Sequence, residues 1–167
     1  MIEPKILLDF IKERRSIREF QDKPIPENEI EMILEAGRWA PSASNRQPWE
    51  FIVIKNKEIL KNVAKATGYG WFIAEASFAI VIVGKPYISH NWYVVDTSLV
   101  SMNMMLMAWS LGIGTCWIGS MRKEKVKEIL GLGRNDYLLT VLPFGYIQGP
   151  IPEPTYRNPL KHIVNEI

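Results

Sequence analysis

Between Asp96 and Arg122 the chain carries no charged side chain, an uncharged run of 25 residues at 97–121. A run of that length can cross a bilayer as a helix, so it decides first what kind of fold is open to the chain. Two features argue against a span. Ser98, Ser101, Asn103 and Ser110 pepper the run with polar groups, and Gly112-Ile113-Gly114 breaks it after about four helical turns. What remains is a buried helix from Trp92 or Tyr93 to Leu111, followed by a strand from Ile113 to Ile118. A helix apolar on all sides must be covered on all sides. In a chain of 167 residues the simplest cover is the domain's own core on one side and a second subunit on the other.

A chain of this length is expected to form one domain, residues 1–167, with enough volume for a real core. Its net charge of +2 gives no global electrostatic grip on nucleic acid, which leaves only local basic clusters to consider. One cysteine, Cys116, excludes an intrachain disulfide and fits a reducing compartment. With only His90 and His162 beside it, no Cys/His metal cage can be built within the chain. Glu3 and Asp9 in the first residues, with no small-residue cleavage site, argue against a signal peptide, so the cytoplasm is the expected compartment.

Periodicity predicts helices over 4–14, from Pro26 or Glu27 to before Pro41, over 57–66, near 71–76 and over 122–130. Strands are expected at Trp49–Ile54, at Phe78–Val83 as a continuous apolar and hence central run, and at Leu138–Ile147, interrupted by Pro143. The irregular alternation argues for an α+β fold rather than a regular βαβ series. The proline-rich tail 149–159 is expected to lie extended over a surface.

Chemistry concentrates in four segments. Arg14, Arg15 and Arg18 bring three guanidinium groups within five residues at a helix exit, with the Ser16 hydroxyl among them. Packing gives no reason for this cluster, whereas a shared anion does, because the planar guanidinium donates two parallel hydrogen bonds to phosphate. Read alone, the segment is accounted for equally well as a solvated basic turn. The loop Pro41, Ser42, Ala43, Ser44, Asn45, Arg46, Gln47, Pro48 offers small and amide side chains able to rim a flat heterocycle, although a plain helix-to-strand turn accounts for it equally well when read alone. The stretch 112–119 has glycines that permit close backbone approach, but Trp117 stands where a dinucleotide fingerprint needs its third glycine. Arg157, in a tail held by prolines, could complete a phosphate site, although read alone a surface arginine is the simpler account. No Gly-x-Ser-x-Gly elbow or catalytic triad accompanies the two histidines, which read as surface residues.

Taken together and in order, RRSIREF at 14–20, APSASNRQPW at 40–49, DTSLVSMNMML at 96–106, LGIGTCWIG at 111–119, PFGY at 143–146 and YRNPL at 156–160 resemble the FMN-dependent nitroreductase family. The resemblance implies an α+β fold with a central mixed or antiparallel sheet flanked by helices, in an intertwined homodimer with FMN at the interface. It implies that Arg14, Arg15, Ser16 and Arg18 lie on the cofactor from one subunit. Arg14, Ser16 and Arg157 would face the phosphate, and Arg18 the N1/O2 edge of the ring. Pro41, Ser42, Ala43, Ser44 and Asn45 would come from the other subunit, and Cys116, Trp117, Ile118 and Gly119 would pass the ring near N5 and O4 by backbone. The implied activity is hydride transfer from NADH or NADPH through FMN to a nitroaromatic, quinone or related electrophile, with no obligatory protein acid or base. The same scaffold also serves dehalogenases, flavin-destroying enzymes, cofactor-biosynthesis reductases and non-catalytic flavin-binding regulators. The chain is short for the family, and residues 67–75 match it poorly, so the substrate side is where the resemblance says least.

Overall fold

The structure, a computed structural model, describes residues 2–167. In chain order the elements are α1 (Pro4–Glu13), α2 (Glu27–Arg38), β1 (Trp49–Ile54), α3 (Lys57–Lys65), β2 (Phe78–Gly84), α4 (Tyr93–Ser110), β3 (Ile113–Thr115), α5 (Lys123–Leu130) and β4 (Tyr137–Tyr146). Asn56 sets the start of α3, its side chain accepting from the N–H groups of Glu58 and Ile59. Gly131, at φ 67°, ends α5 in the left-handed conformation that spares a Cβ clash.

The four strands form one sheet in the order β1-β2-β4-β3, with every ladder antiparallel. β2 is buried along its whole length, as its continuous apolar run requires. Its side chains alternate between two cores. Phe78, Ile80 and Ile82 pack with Ile30 and Ile33 of α2 and Val100 and Met104 of α4. Ala79, Val81 and Val83 pack on the opposite face with Leu60 and Val63 of α3, Phe72 and Val126. α4 buries Thr97, Val100, Ser101, Met104 and Ala108 against the first core and leaves Val95, Leu99 and Met102 exposed. Within the chain it is covered by the sheet and by α2, where Asn103 Nδ2 donates to the Ala36 carbonyl at 3.1 Å. Among the described residues no helix is long and apolar enough to cross a membrane.

Two strand expectations need correcting, and one residue explains both. β4 is not interrupted at Pro143 but runs through it, with Pro143 opposite Ala79 of β2. The expected strand Ile113–Ile118 instead stops at Thr115 and rejoins β4 only at the Ile118–Val141 bridge. The register from Ile113↔Tyr146 to Thr115↔Phe144 continues unbroken to Ile118↔Val141, which sets Cys116 opposite Pro143. Val141 exchanges both backbone hydrogen bonds with Ile118, so by the two-residue alternation Pro143 also faces this edge. Having no N–H, it cannot donate to the Cys116 carbonyl; no ladder bond joins Cys116 and Pro143 among the described residues, and the ladder opens there.

A glycine pair positions the arginine segment. Gly114 and Gly145 face each other across β3 and β4. A Cβ on Gly114 would stand 2.6 Å from Ile17, and one on Gly145 2.7 Å from Phe20. The chain after α1 thus crosses directly over the sheet, burying Ile17 and Phe20. It is stitched to the sheet by Ile17 N–H to Thr115 C=O at 3.0 Å and Gln21 N–H to Tyr146 C=O at 2.9 Å.

Candidate functional site

The crossing segment leaves α1 at Arg14, whose extended backbone (φ −56°, ψ 132°) stops the helix and turns the arginines toward the sheet edge. Ser16 pairs in parallel with Thr115, so the turn lies beside the point where the β3–β4 ladder opens. Arg14 is half-buried, and its Nη1 is fully enclosed without an acceptor. Burial, followed by the charges of Arg157 and Arg15, lowers its pKa, so the protonated guanidinium sits at a loss that an anion would relieve. A cavity of about 660 Å³ opens here, lined by Arg14, Arg15, Arg157, Thr155 and Met102 among others. Asp9, also in the lining, is engaged with Lys12 at 3.5 Å. Arg15 fastens the tail to the turn through Nε to the Pro152 carbonyl at 3.0 Å, and Arg157 donates only to neighbouring groups on Thr155 and Tyr156.

Arg18 points elsewhere. It lines a smaller cavity of about 270 Å³ with Ser16, Gln148, Pro150 and Pro152, and its one side-chain hydrogen bond among the described residues is a long 3.5 Å contact to the Ser16 carbonyl. Cys116 lies between the two arginines. Burial pushes its thiol up, opposed by the Arg18 charge, a hydrogen bond with Ser16 and the Arg14 charge. Trp117 is partly exposed. The Ile118 backbone is engaged on both sides with Val141, and its carbonyl also accepts from the Thr140 hydroxyl at 3.0 Å. Of the four residues expected to meet a ligand by backbone, Ile118 therefore has its polar groups occupied. The N–H groups of Trp117 and Gly119 have no acceptor within the chain among the described residues.

Pro41–Asn45 stands apart from this cluster within one chain. Its hydrogen bonds run within the loop and to Asp96, and none reaches the arginine turn among the described residues. Ser44, Asn45 and Gln47 all have positive φ, near 50°, a conformation that only asparagine among these tolerates readily. The Ser42 hydroxyl accepts from Gln47 N–H at 2.9 Å, and Asp96 Oδ1 accepts from Ala43 N–H at 3.1 Å. Asp96 is a residue that sequence reasoning passed over as a site residue. Its only signal was its place as the last charge before the uncharged run. His90 and His162 are exposed, and the described residues hold no cluster of metal-ligating side chains.

Cationic side chains around a buried, unsatisfied donor, next to an opened sheet edge, form a cavity whose donors suit an anion such as a phosphate group. The sequence profile of the nitroreductase family matches residues 11–77 and 65–146. An Archaeoglobus fulgidus protein, provisionally named an NADH dehydrogenase/NAD(P)H nitroreductase, is 39% identical over 146 residues, covering 83% of this chain and 84% of its own. An FMN-dependent nitroreductase from Clostridium difficile superposes with a TM-score of 0.83 at 28% identity, covering 90% of this chain and 92% of that one. A structure from Desulfovibrio desulfuricans, provisionally described as a nitroreductase in complex with FMN, superposes with a TM-score of 0.89 at 26% identity, covering 100% and 98%. The chain belongs to the nitroreductase family.

Proposed function

We propose that the protein is an FMN-dependent NAD(P)H oxidoreductase of the nitroreductase type, acting as a homodimer on a nitroaromatic, quinone or similar electrophile. The observation that carries this is the enclosed, acceptor-less Nη1 of Arg14 beside Arg15 and Arg157 in a cavity of about 660 Å³. That donor set fits the phosphate of FMN. FMN held there by Arg14, Arg15 and Arg157 would supply the hydride- and electron-transfer chemistry between reduced nicotinamide and the acceptor.

The chain's own residues do the holding and tuning. Arg14 and Arg157 bind the phosphate, and Ser16 adds a hydroxyl donor. Arg18 turns a cation toward the ring edge that becomes electron-rich, where a fixed positive charge favours the reduced state. Cys116, Trp117 and Gly119 would lie along the ring, where the N–H groups of Trp117 and Gly119, without an acceptor among the described residues, are available to it. In the dimer that the family resemblance implies, Pro41, Ser42, Ala43, Ser44 and Asn45 would reach the ring from the second subunit.

The dimer is supported by apolar surface that the single chain leaves uncovered. α1 has no buried residue, and Ile6, Leu7, Leu8 and Ile11 are all exposed. So are Val95, Leu99 and Met102 of α4, and Ile151, Tyr156, Leu160, Ile163 and Val164 of the tail. Met102 also lines the arginine cavity, so the uncovered α4 stripe runs into the site. Patches of this extent mark an interaction surface.

The test is anaerobic mixing of the FMN-loaded protein with NADH or NADPH. Loss of oxidised-flavin absorbance, recovered on adding a nitroaromatic or quinone, is expected. Retained colour under excess reductant would make the protein a flavin binder rather than an oxidoreductase.

A further inference from the structure

Asp96 sits in the first turn of α4, where the helix dipole favours an acid. It is nevertheless 3% exposed, and it has no cation partner among the described salt bridges. Oδ1 accepts one hydrogen bond, from Ala43 N–H, and Oδ2 is enclosed with no partner. A buried carboxylate with so little compensation costs free energy that an apolar residue of similar size would avoid. Folding alone gives no reason to keep it in a helix that is otherwise uncharged from residue 97 onward.

The reason lies in what Ala43 begins. It opens the tight turn Ala43–Asn45, in which Ser44 and Asn45 both adopt φ 53°. Asn45 tolerates that region, but Ser44 is strained there, and such strain persists only where the surroundings over-determine it. Among the described residues the tie from Asp96 is the one hydrogen bond that joins Ala43–Asn45 to the rest of the fold. The others, Asn45 N–H to Ser42 C=O, Arg46 N–H to Ala43 C=O, the Gln47 side-chain amide to Asn45 C=O and Gln47 N–H to the Ser42 hydroxyl, stay within the loop.

We propose that Asp96 is a positioning residue for the cofactor: its carboxylate holds Ala43, and with it the left-handed Ser44–Asn45 turn, in the shape that meets the flavin. The inference rests on the reading of Pro41–Asn45 as a flavin-contacting loop. Asp96 itself does not touch the ligand. It keeps the loop pre-organised, so that binding does not also have to order it.

The experiment titrates FMN into the apoprotein by flavin fluorescence, for the wild type, Asp96→Asn and Asp96→Ala. Hydrogen exchange at the Ala43 amide and the melting temperature of each apoprotein are followed in parallel. Asp96→Asn keeps an acceptor for Ala43, so affinity close to wild type and a protected Ala43 amide are expected. Asp96→Ala should bind FMN about tenfold more weakly and exchange the Ala43 amide faster, without a matching fall in melting temperature. Wild-type affinity in Asp96→Ala, or equal losses in both variants, overturns the role of Asp96. Should Asp96→Ala fail to fold, Asp96→Asn against Asp96→Glu decides. Asn should outrank Glu, which keeps the charge but displaces the acceptor, and the reverse order overturns the proposal. A wild type that takes up no FMN overturns the cofactor reading itself, a result distinct from any of these.

Discussion

Arg14 and Arg18 leave one short turn toward different cavities, and their chemistry differs accordingly. Arg14 is half-buried among like charges with an unsatisfied donor, which suits a permanent anion. Arg18 is nearly free of partners, which suits a charge that appears only during reaction. An interaction stronger in the transition state than in the ground state acts on rate. Arg18→Ala should therefore slow flavin reduction by NAD(P)H more than it weakens FMN retention, as measured by stopped-flow reduction against flavin titration. Equal effects would make Arg18 a binding group only. Cys116 gives a second prediction at this scale. Its pKa is raised chiefly by burial, so the neutral thiol is the folded form at neutral pH. The stability tied to it is complete below the unfolded thiol's pKa and is lost as pH rises through the folded one. Alkylation of the apoprotein by iodoacetamide should thus show a midpoint above that of a free cysteine. The arginines, the serine and the cysteine could be found in sequence because their residue types are unusual there. Asp96 could not, because its meaning is a hydrogen bond to a residue 53 positions away.

The elements bring this chemistry together by two devices in the sheet. Gly114 and Gly145 form a flat strip over which the segment from Ile17 to Phe20 crosses. Gly145→Ala would drive a methyl group into Phe20 and displace the arginine turn. The expected result is a lowered melting temperature, by the roughly 1–3 kcal/mol typical of overpacking, together with weaker FMN binding. Unchanged binding in a destabilised variant would mean that the turn does not depend on that contact. Pro143 supplies the second device by leaving Cys116 without a ladder partner. Element positions were readable from periodicity, since α1, α2, α3, α4, β1 and β2 fall within a residue or two of their expected bounds. The pairing of Gly114 with Gly145 and of Cys116 with Pro143 was not, because register joins segments about thirty residues apart and no local pattern encodes it. For the same reason the sequence misplaced the break, assigning it to β4, which carries the proline, rather than to β3, which loses the bond.

At the scale of the whole molecule, the uncharged run that opened the question resolves into a helix with one side on the sheet and one side bare. The bare side, the undocked α1 and the exposed tail leave an apolar surface of the kind that marks an interface, and in the proposed homodimer a second copy of the chain would cover it and bring Pro41–Asn45 to the other subunit's arginines. Sedimentation should show a dimer, and a stable monomer that retains FMN would break the shared site. The substrate side stays outside what sequence could supply. The poorly matching segment 67–75 forms an exposed Tyr69 and Trp71 beside a buried Phe72 and Ile73, a local arrangement with no ligand signature of its own. The most direct test of the central claim, that a guanidinium cluster on the α1 exit grips the phosphate of a flavin, is the ratio of FMN to riboflavin affinity. The two ligands differ only in that phosphate. Wild type should favour FMN by about a hundredfold or more, and Arg14→Ala should cut that preference by about tenfold while changing riboflavin affinity little. Equal affinities in the wild type, or a preference untouched by Arg14→Ala, would contradict the account.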